Sequence, residues 1–150
     1  GGNLAAAMCA MRQLDGTSLP KAQLLICPHV DLTTSCPSND EFATGYFLTK
    51  AHAKWFASNY GPDEEIRNNP IASPFLAESL AGHPKAVVVT AGFDVLRDEG
   101  NLYAQKLIDS GVETQLFEYP SFLHGFYLVD LMSAVSQANT EYCTAFKRLL

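Results

Sequence analysis

Residues 85–94, KAVVVTAGFD, decide the fold. A run of β-branched and small apolar residues closed by glycine predicts a strand over Lys85–Gly92. The run shows no polar alternation, so the strand is expected to be buried on both faces, as strands of parallel sheets are. Asp94 stands two residues beyond Gly92, just past the strand's carboxyl end. That is where open parallel sheets place their ligands.

Downstream, Asp98 or a neighbour caps a helix running through Ser110. Leu102, Tyr103, Leu107 and Ile108 are expected on its inner side and Gly111 at its stop. VETQLFEY (112–119) predicts a second strand, more polar and so nearer an edge. A last helix, about Met132 to Leu150, repeats Val135, Ala138, Tyr142, Phe146 and Leu149 at helical spacing. Upstream, AQLLIC (22–27), closed by Pro28, predicts another doubly buried strand. Asn3–Leu14 predicts a buried helix stopped by Asp15-Gly16. Asp31–Glu41 is polar and turn-rich. In the segment from Gly45 to Gly61, Thr49 caps a helix whose apolar marks are His52, Trp55, Phe56 and Tyr60; Asp63–Ser73 is irregular. The order helix, strand, insertion, strand, helix, strand, helix implies βαβ units: an α/β protein with a parallel sheet covered on both sides.

The 150 residues are about one domain's worth of chain, 47% hydrophobic and 17% charged, in the range of soluble globular proteins. A net charge of −6 argues against a nucleic-acid or anionic-membrane surface. No apolar run approaches the roughly 20 residues of a membrane-spanning helix. Cys9, Cys27, Cys36 and Cys143 are expected as reduced thiols in a cytoplasmic protein. A metal centre would need Cys27, His29 and Cys36 to converge with Cys9, and that spacing fits no compact ligand motif. The opening GGNLAAAMCAMR carries no charged n-region or cleavage signal, and the chain is expected to be a fragment.

Three polar residues follow the three strands: Asp31, Asp94, and His124 in SFLHGF (121–126). A carboxylate and an imidazole on neighbouring strand ends can pair, the carboxylate fixing the ring's tautomer and stabilising its protonated form. Two plainer readings stay open. Asp94 could cap a turn, as Asp98 and Glu99 could, and His124 could be a satisfied, partly buried histidine.

Several segments resemble one family. GGNLAAA is similar to the continuation of G-D-S-A-G-G-N-L-A, the nucleophile elbow of the hormone-sensitive-lipase-like α/β-hydrolases. AGFDVLRDEGNLYAQKL resembles that family's acid motif, usually D-P-L-R-D-E-G, and FLHGF its histidine motif. LLICPHVDLT, GYFLTKAHAKWF and NPIASPFLA match the sequence between elbow and acid, so the resemblance covers essentially the whole chain. It implies an α/β-hydrolase fold, with residues 1–150 the C-terminal part of one catalytic domain and roughly 37–62 a cap-associated insertion. It implies a serine ester hydrolase of the carboxylesterase or lipase type for short- to medium-chain acyl esters. Asp94 is then the acid, His124 the general base, and Gly1 and Gly2 the closing glycines of the elbow. The serine would lie two residues before Gly1, in an N-terminal part of the same domain, so residues 1–150 alone are expected to be inactive. Phe47, Leu48, Phe56 and Val95 are candidate pocket residues, with helix packing an equal alternative for the first three. Val95 replaces the usual Pro, Cys27 a common Tyr, and His29 an apolar residue. Asp31 is the rival acid, while His29, His52 and His83 are expected as surface or packing residues. No metal or organic cofactor is implied, and homo-oligomerisation stays open. So do a non-catalytic ligand-binding module, an inactive truncated form, and amide or lactone hydrolysis.

Overall fold

A computed structural model describes residues 1–150. Helix α1 (Gly2–Leu14) leads to strand β1 (Ala22–Ile26). Three helices follow: α2 (Ser38–Glu41), α3 (Lys50–Tyr60) and α4 (Glu64–Arg67). Then come β2 (Lys85–Phe93), α5 (Arg97–Asp109), β3 (Thr114–Leu123) and α6 (Ser133–Leu149). The strands form one sheet in the order β1-β2-β3, and both pairings are parallel. The α/β architecture is therefore as expected.

Strand β2 is central because it can be: Ala86 to Ala91 are all buried. Its alternating side chains feed two cores. Val87, Val89 and Ala91 pack with Val135, Ala138 and Tyr142 of α6. Ala86 and Val88 pack on the other face with Ala6 of α1 and Tyr103, Ala104 and Leu107 of α5. Strand β3 has no fully buried residue, in keeping with an edge position. It runs to Leu123, four residues further than the apolar pattern suggested. Pairing with β2 resumes at Phe93↔Leu123 after a register shift at Ala91–Phe93. No helix is long and apolar enough to cross a membrane.

Helix α1, expected to be buried, buries only Ala6, Ala7, Cys9 and Ala10, while Leu4, Met8, Met11 and Leu14 are exposed. Two further helix faces differ from the sequence reading. On α3 the buried residues are Ala53 and Ala57, while Trp55, Phe56 and Tyr60 are 62%, 55% and 46% exposed and His52 also faces solvent. On α5, Tyr103 and Leu107 are buried as expected, but Ala104 takes the inner place assigned to Leu102 and Ile108, which are about half exposed. In both, a small residue lets the helix sit close to its support and the larger neighbours are turned outward. The irregular stretch after Asp63 contains the single turn α4. Thr49 caps α3, its side chain accepting from the His52 N–H at 3.2 Å.

Candidate active site

The carboxyl ends of β2 and β3 carry the two central groups. Asp94 follows β2 directly and is 1% exposed. Its Oδ1 accepts the Leu96 N–H at 2.9 Å, which fixes the carboxylate against its own backbone. Its Oδ2 lies 2.8 Å from Nδ1 of His124. His124 follows β3 directly, and Gly125 (φ +77) turns the chain sharply behind it. That left-handed conformation favours glycine. The imidazole edge opposite Asp94 makes no hydrogen bond within the chain, and no serine hydroxyl is bonded to His124.

Asp31 is engaged elsewhere. It is wholly buried, and its oxygens accept from Thr33 N (2.9 Å), Thr33 Oγ1 (2.5 Å), Ser35 N (3.4 Å) and Ser35 Oγ (2.6 Å). Burial alone would raise its pKa. The hydrogen bonds from Ser35 and Thr33 outweigh that and hold the carboxyl below its ordinary value.

His124 stands between two hollows. One, of about 420 Å³, is lined by Gly1, Gly2, His29, Leu48, Phe56 and Tyr127, among others. The other, of about 320 Å³, is almost entirely apolar and is lined by Phe47, Phe122, Leu123, Leu128 and Met132. The expected pocket residues thus divide: Leu48 and Phe56 face the first hollow and Phe47 the second. Val95 faces neither. It is wholly buried with Phe42, Ala53 and Leu96, and its carbonyl accepts from Ser38 Oγ and Asn39 Nδ2 at 2.8 and 2.7 Å. The backbone turn that aims Asp94 at His124 directs the next side chain inward. His29 proves to be a wall residue of the first hollow. Burial lowers its pKa to about 4, so the ring is neutral, and its Nε2 has no partner.

Gly2 opens α1 where the helix crosses the end of β1. A Cβ there would come within 2.8 Å of Pro28 Cβ, closer than packing permits. Asn3 secures the same junction, donating from Nδ2 to the carbonyls of His29 (2.7 Å) and Ala72 (2.8 Å).

Asp98 was expected to cap α5, but the helix begins at Arg97 with Leu96 at its N-cap and no side-chain cap, and the residues after Asp94 serve instead as anchors. Arg97 bonds Glu41 and Asp98, each at 2.8 Å, and lies 4.7 Å over the Phe42 ring. Asp98 accepts the Ser38 N–H at 2.8 Å. Glu99, wholly buried, accepts the N–H groups of Val30 (2.6 Å) and Asp31 (3.1 Å). Three consecutive charged residues thereby tie α5 to α2 and to the loop after β1. The signal was present in the run RDEG, but charge runs usually mark a solvated face.

Cys27 completes the neighbourhood at the end of β1. Its sulfur, a His124 ring nitrogen and an Asp94 carboxylate oxygen all lie within 4.8 Å of one another. Burial, followed by the charge of Asp94, pushes its thiol pKa up to about 12. The grouping differs from the Cys9, Cys27, His29 and Cys36 set weighed from spacing. All four cysteines are free.

A parallel sheet with a buried acid after one strand and a paired histidine after the next has the layout of the α/β-hydrolases. The family described as "alpha/beta hydrolase fold" matches residues 1–128. The chain belongs to the hormone-sensitive-lipase-like family of α/β-hydrolases. It is 37% identical to the carboxylic ester hydrolase LipN of Mycobacterium tuberculosis over 146 residues, covering 94% of this chain and 39% of that protein. The solved thermostable esterase of Pseudomonas putida ECU1011 superposes with a TM-score of 0.86 at 40% identity, covering 95% of this chain and 47% of that one. The gibberellin receptor GID1A of Arabidopsis thaliana is 36% identical over 88 residues, covering 56% of this chain and 26% of the receptor. The chain therefore spans less than half the length of these relatives.

Proposed function

We propose that residues 1–150 form the C-terminal portion of a serine carboxylic-ester hydrolase. In this reading Asp94 and His124 serve a serine two residues ahead of the glycine pair matched by Gly1 and Gly2. The observation that carries it is the 2.8 Å contact between His124 Nδ1 and the buried Asp94 carboxylate, with the opposite ring edge left without a partner. His124 takes the serine proton as the hydroxyl attacks the ester carbonyl and returns it to the leaving alcohol. It then draws a proton from the water that cleaves the acyl-enzyme. Asp94 holds the ring with its proton on Nδ1 and stabilises the imidazolium at each step. The N-terminus of α1, which begins at Gly2, favours charge developing on the carbonyl oxygen.

Short- to medium-chain acyl esters are the proposed substrates, and the apolar hollows beside His124 match that class. Residues 37–62 are proposed to belong to the cap over the acyl group. The free cysteines suit a cytoplasmic setting. The proposal is tested with p-nitrophenyl esters from acetate to laurate, on the protein extended through the proposed serine-bearing segment ahead of Gly1. Turnover greatest toward the shorter chains, and lowered about four powers of ten by Asp94→Asn, is expected.

A second reading, a non-catalytic ligand-binding module, is favoured by the resemblance to a receptor. Saturable binding of the same esters without product by that serine-bearing protein would favour it over hydrolysis.

A further inference from the structure

We infer that Cys27, Asp94 and His124 form an inhibitory site for a thiophilic divalent cation of the Zn²⁺ type. The binding follows from the side chains alone, while its inhibitory consequence rests on the proposed roles of Asp94 and His124. A sulfur, an imidazole nitrogen and a carboxylate oxygen converge within 4.8 Å, and Cys27 and Asp94 are buried. Zinc takes this donor set, usually with water in a fourth position, at about 2.3 Å for sulfur and about 2.0–2.1 Å for nitrogen. In tetrahedral geometry such bond lengths place neighbouring donors about 3.4–3.6 Å apart. The His124–Asp94 contact need open only slightly, and the sulfur moves inward by an ångström or so.

Without a cation, burial and then the neighbouring Asp94 hold the thiol protonated, so binding must displace that proton. A coordinated cation reverses both effects, because a metal-bound thiol is deprotonated outright. One proton leaves Cys27 for solvent. The proton on His124 Nδ1 moves to Nε2, and the vacated lone pair binds the metal. Thiolate, carboxylate and divalent cation then sum to zero, which suits a site shielded from water. The imidazole edge that would accept a serine proton now carries its own, so the ring cannot act as a base.

The probe is Cd²⁺ titrated into the protein and read by its thiolate charge-transfer absorbance, with Zn²⁺ competition giving the affinity. One equivalent of band is expected in the unaltered protein. Cys27→Ser should abolish it, and Asp94→Asn should weaken binding at least about a hundredfold, since even outer-shell partners are worth 10–100-fold. Circular dichroism checks that each variant is folded, and Asp94→Asn stands as the test if Cys27→Ser is not. Cys9→Ser, Cys36→Ser and Cys143→Ser should keep the band. No band in the unaltered protein, a band that survives Cys27→Ser, or binding untouched by Asp94→Asn overturns the inference. Metal binding, with no ester cleavage even in the protein extended through the proposed serine-bearing segment, leaves this inference standing and removes the proposed hydrolysis. Hydrolysis without metal binding does the reverse.

Discussion

Glu99 is the perturbation whose size can be worked out most directly. Its buried carboxyl group accepts two backbone N–H groups from the loop after β1, at 2.6 and 3.1 Å from Oε1, while Oε2 has no partner. Glu99→Ala strands both donors. At about 1–3 kcal/mol each, the loss of stability is about 2–6 kcal/mol. Glu99→Gln keeps a carbonyl acceptor in the same place. Its effect depends on pH because burial, with the charges of Asp31 and Asp94 adding to it, holds the carboxyl pKa well above its ordinary 4.5 despite the two N–H donors. The folded state therefore binds more protons than the unfolded one. Stability from this group is fully present below about pH 4.5 and falls by about 1.4 kcal/mol per pH unit as pH rises toward the folded pKa. Gln has no such slope. Urea unfolding of the three proteins at pH 4, 5.5 and 7 provides the assay. Glu99→Gln should lie within about 1 kcal/mol of the unaltered protein at pH 4 and gain on it as pH rises. Equal losses for Ala and Gln would mean that the Glu99 side-chain carbonyl does not hold the two N–H groups, and a Gln variant that gains nothing with pH would mean that the buried carboxyl is not raised above its ordinary pKa.

Two further outcomes follow from local geometry. A Cβ at Gly92 would overlap the Pro120 carbonyl of the neighbouring strand, where backbone cannot yield as a side chain could. Gly92→Ala should cost about 3 kcal/mol or more and disturb the strand ends that carry Asp94 and His124, read as a lowered urea midpoint. Thr49→Ala removes the cap of α3 and should cost about 1 kcal/mol by the same assay, with Thr49→Ser recovering most of it.

The strands were legible because a doubly buried parallel strand leaves an unbroken apolar run, as Val87–Val89 does, and Asp94 and His124 were marked as polar residues following the predicted strands 85–92 and 112–119. Helix faces were less legible. Sequence marks large apolar residues as inner ones, yet α3 and α5 approach their supports through Ala53, Ala57 and Ala104, turning Trp55, Phe56, Leu102 and Ile108 outward. Val95 was expected in the pocket, but the turn that aims Asp94 at His124 sends Val95 into the core. Glu99 was hidden for another reason. A carboxylate in a charge run is normally solvated, and only the fold reveals that two N–H groups from residues 30 and 31 meet it. Position after a strand left Asp31 a rival to Asp94, and only the family resemblance favoured Asp94. The turn hydrogen bonds from Thr33 and Ser35 separate them.

The most direct test is turnover of a short p-nitrophenyl ester by the protein extended through the proposed serine-bearing segment ahead of Gly1, with and without His124→Ala, its fold verified by circular dichroism. The account predicts a loss of several powers of ten in kcat, in the range seen when a triad member is removed. Turnover unchanged by the substitution would contradict it.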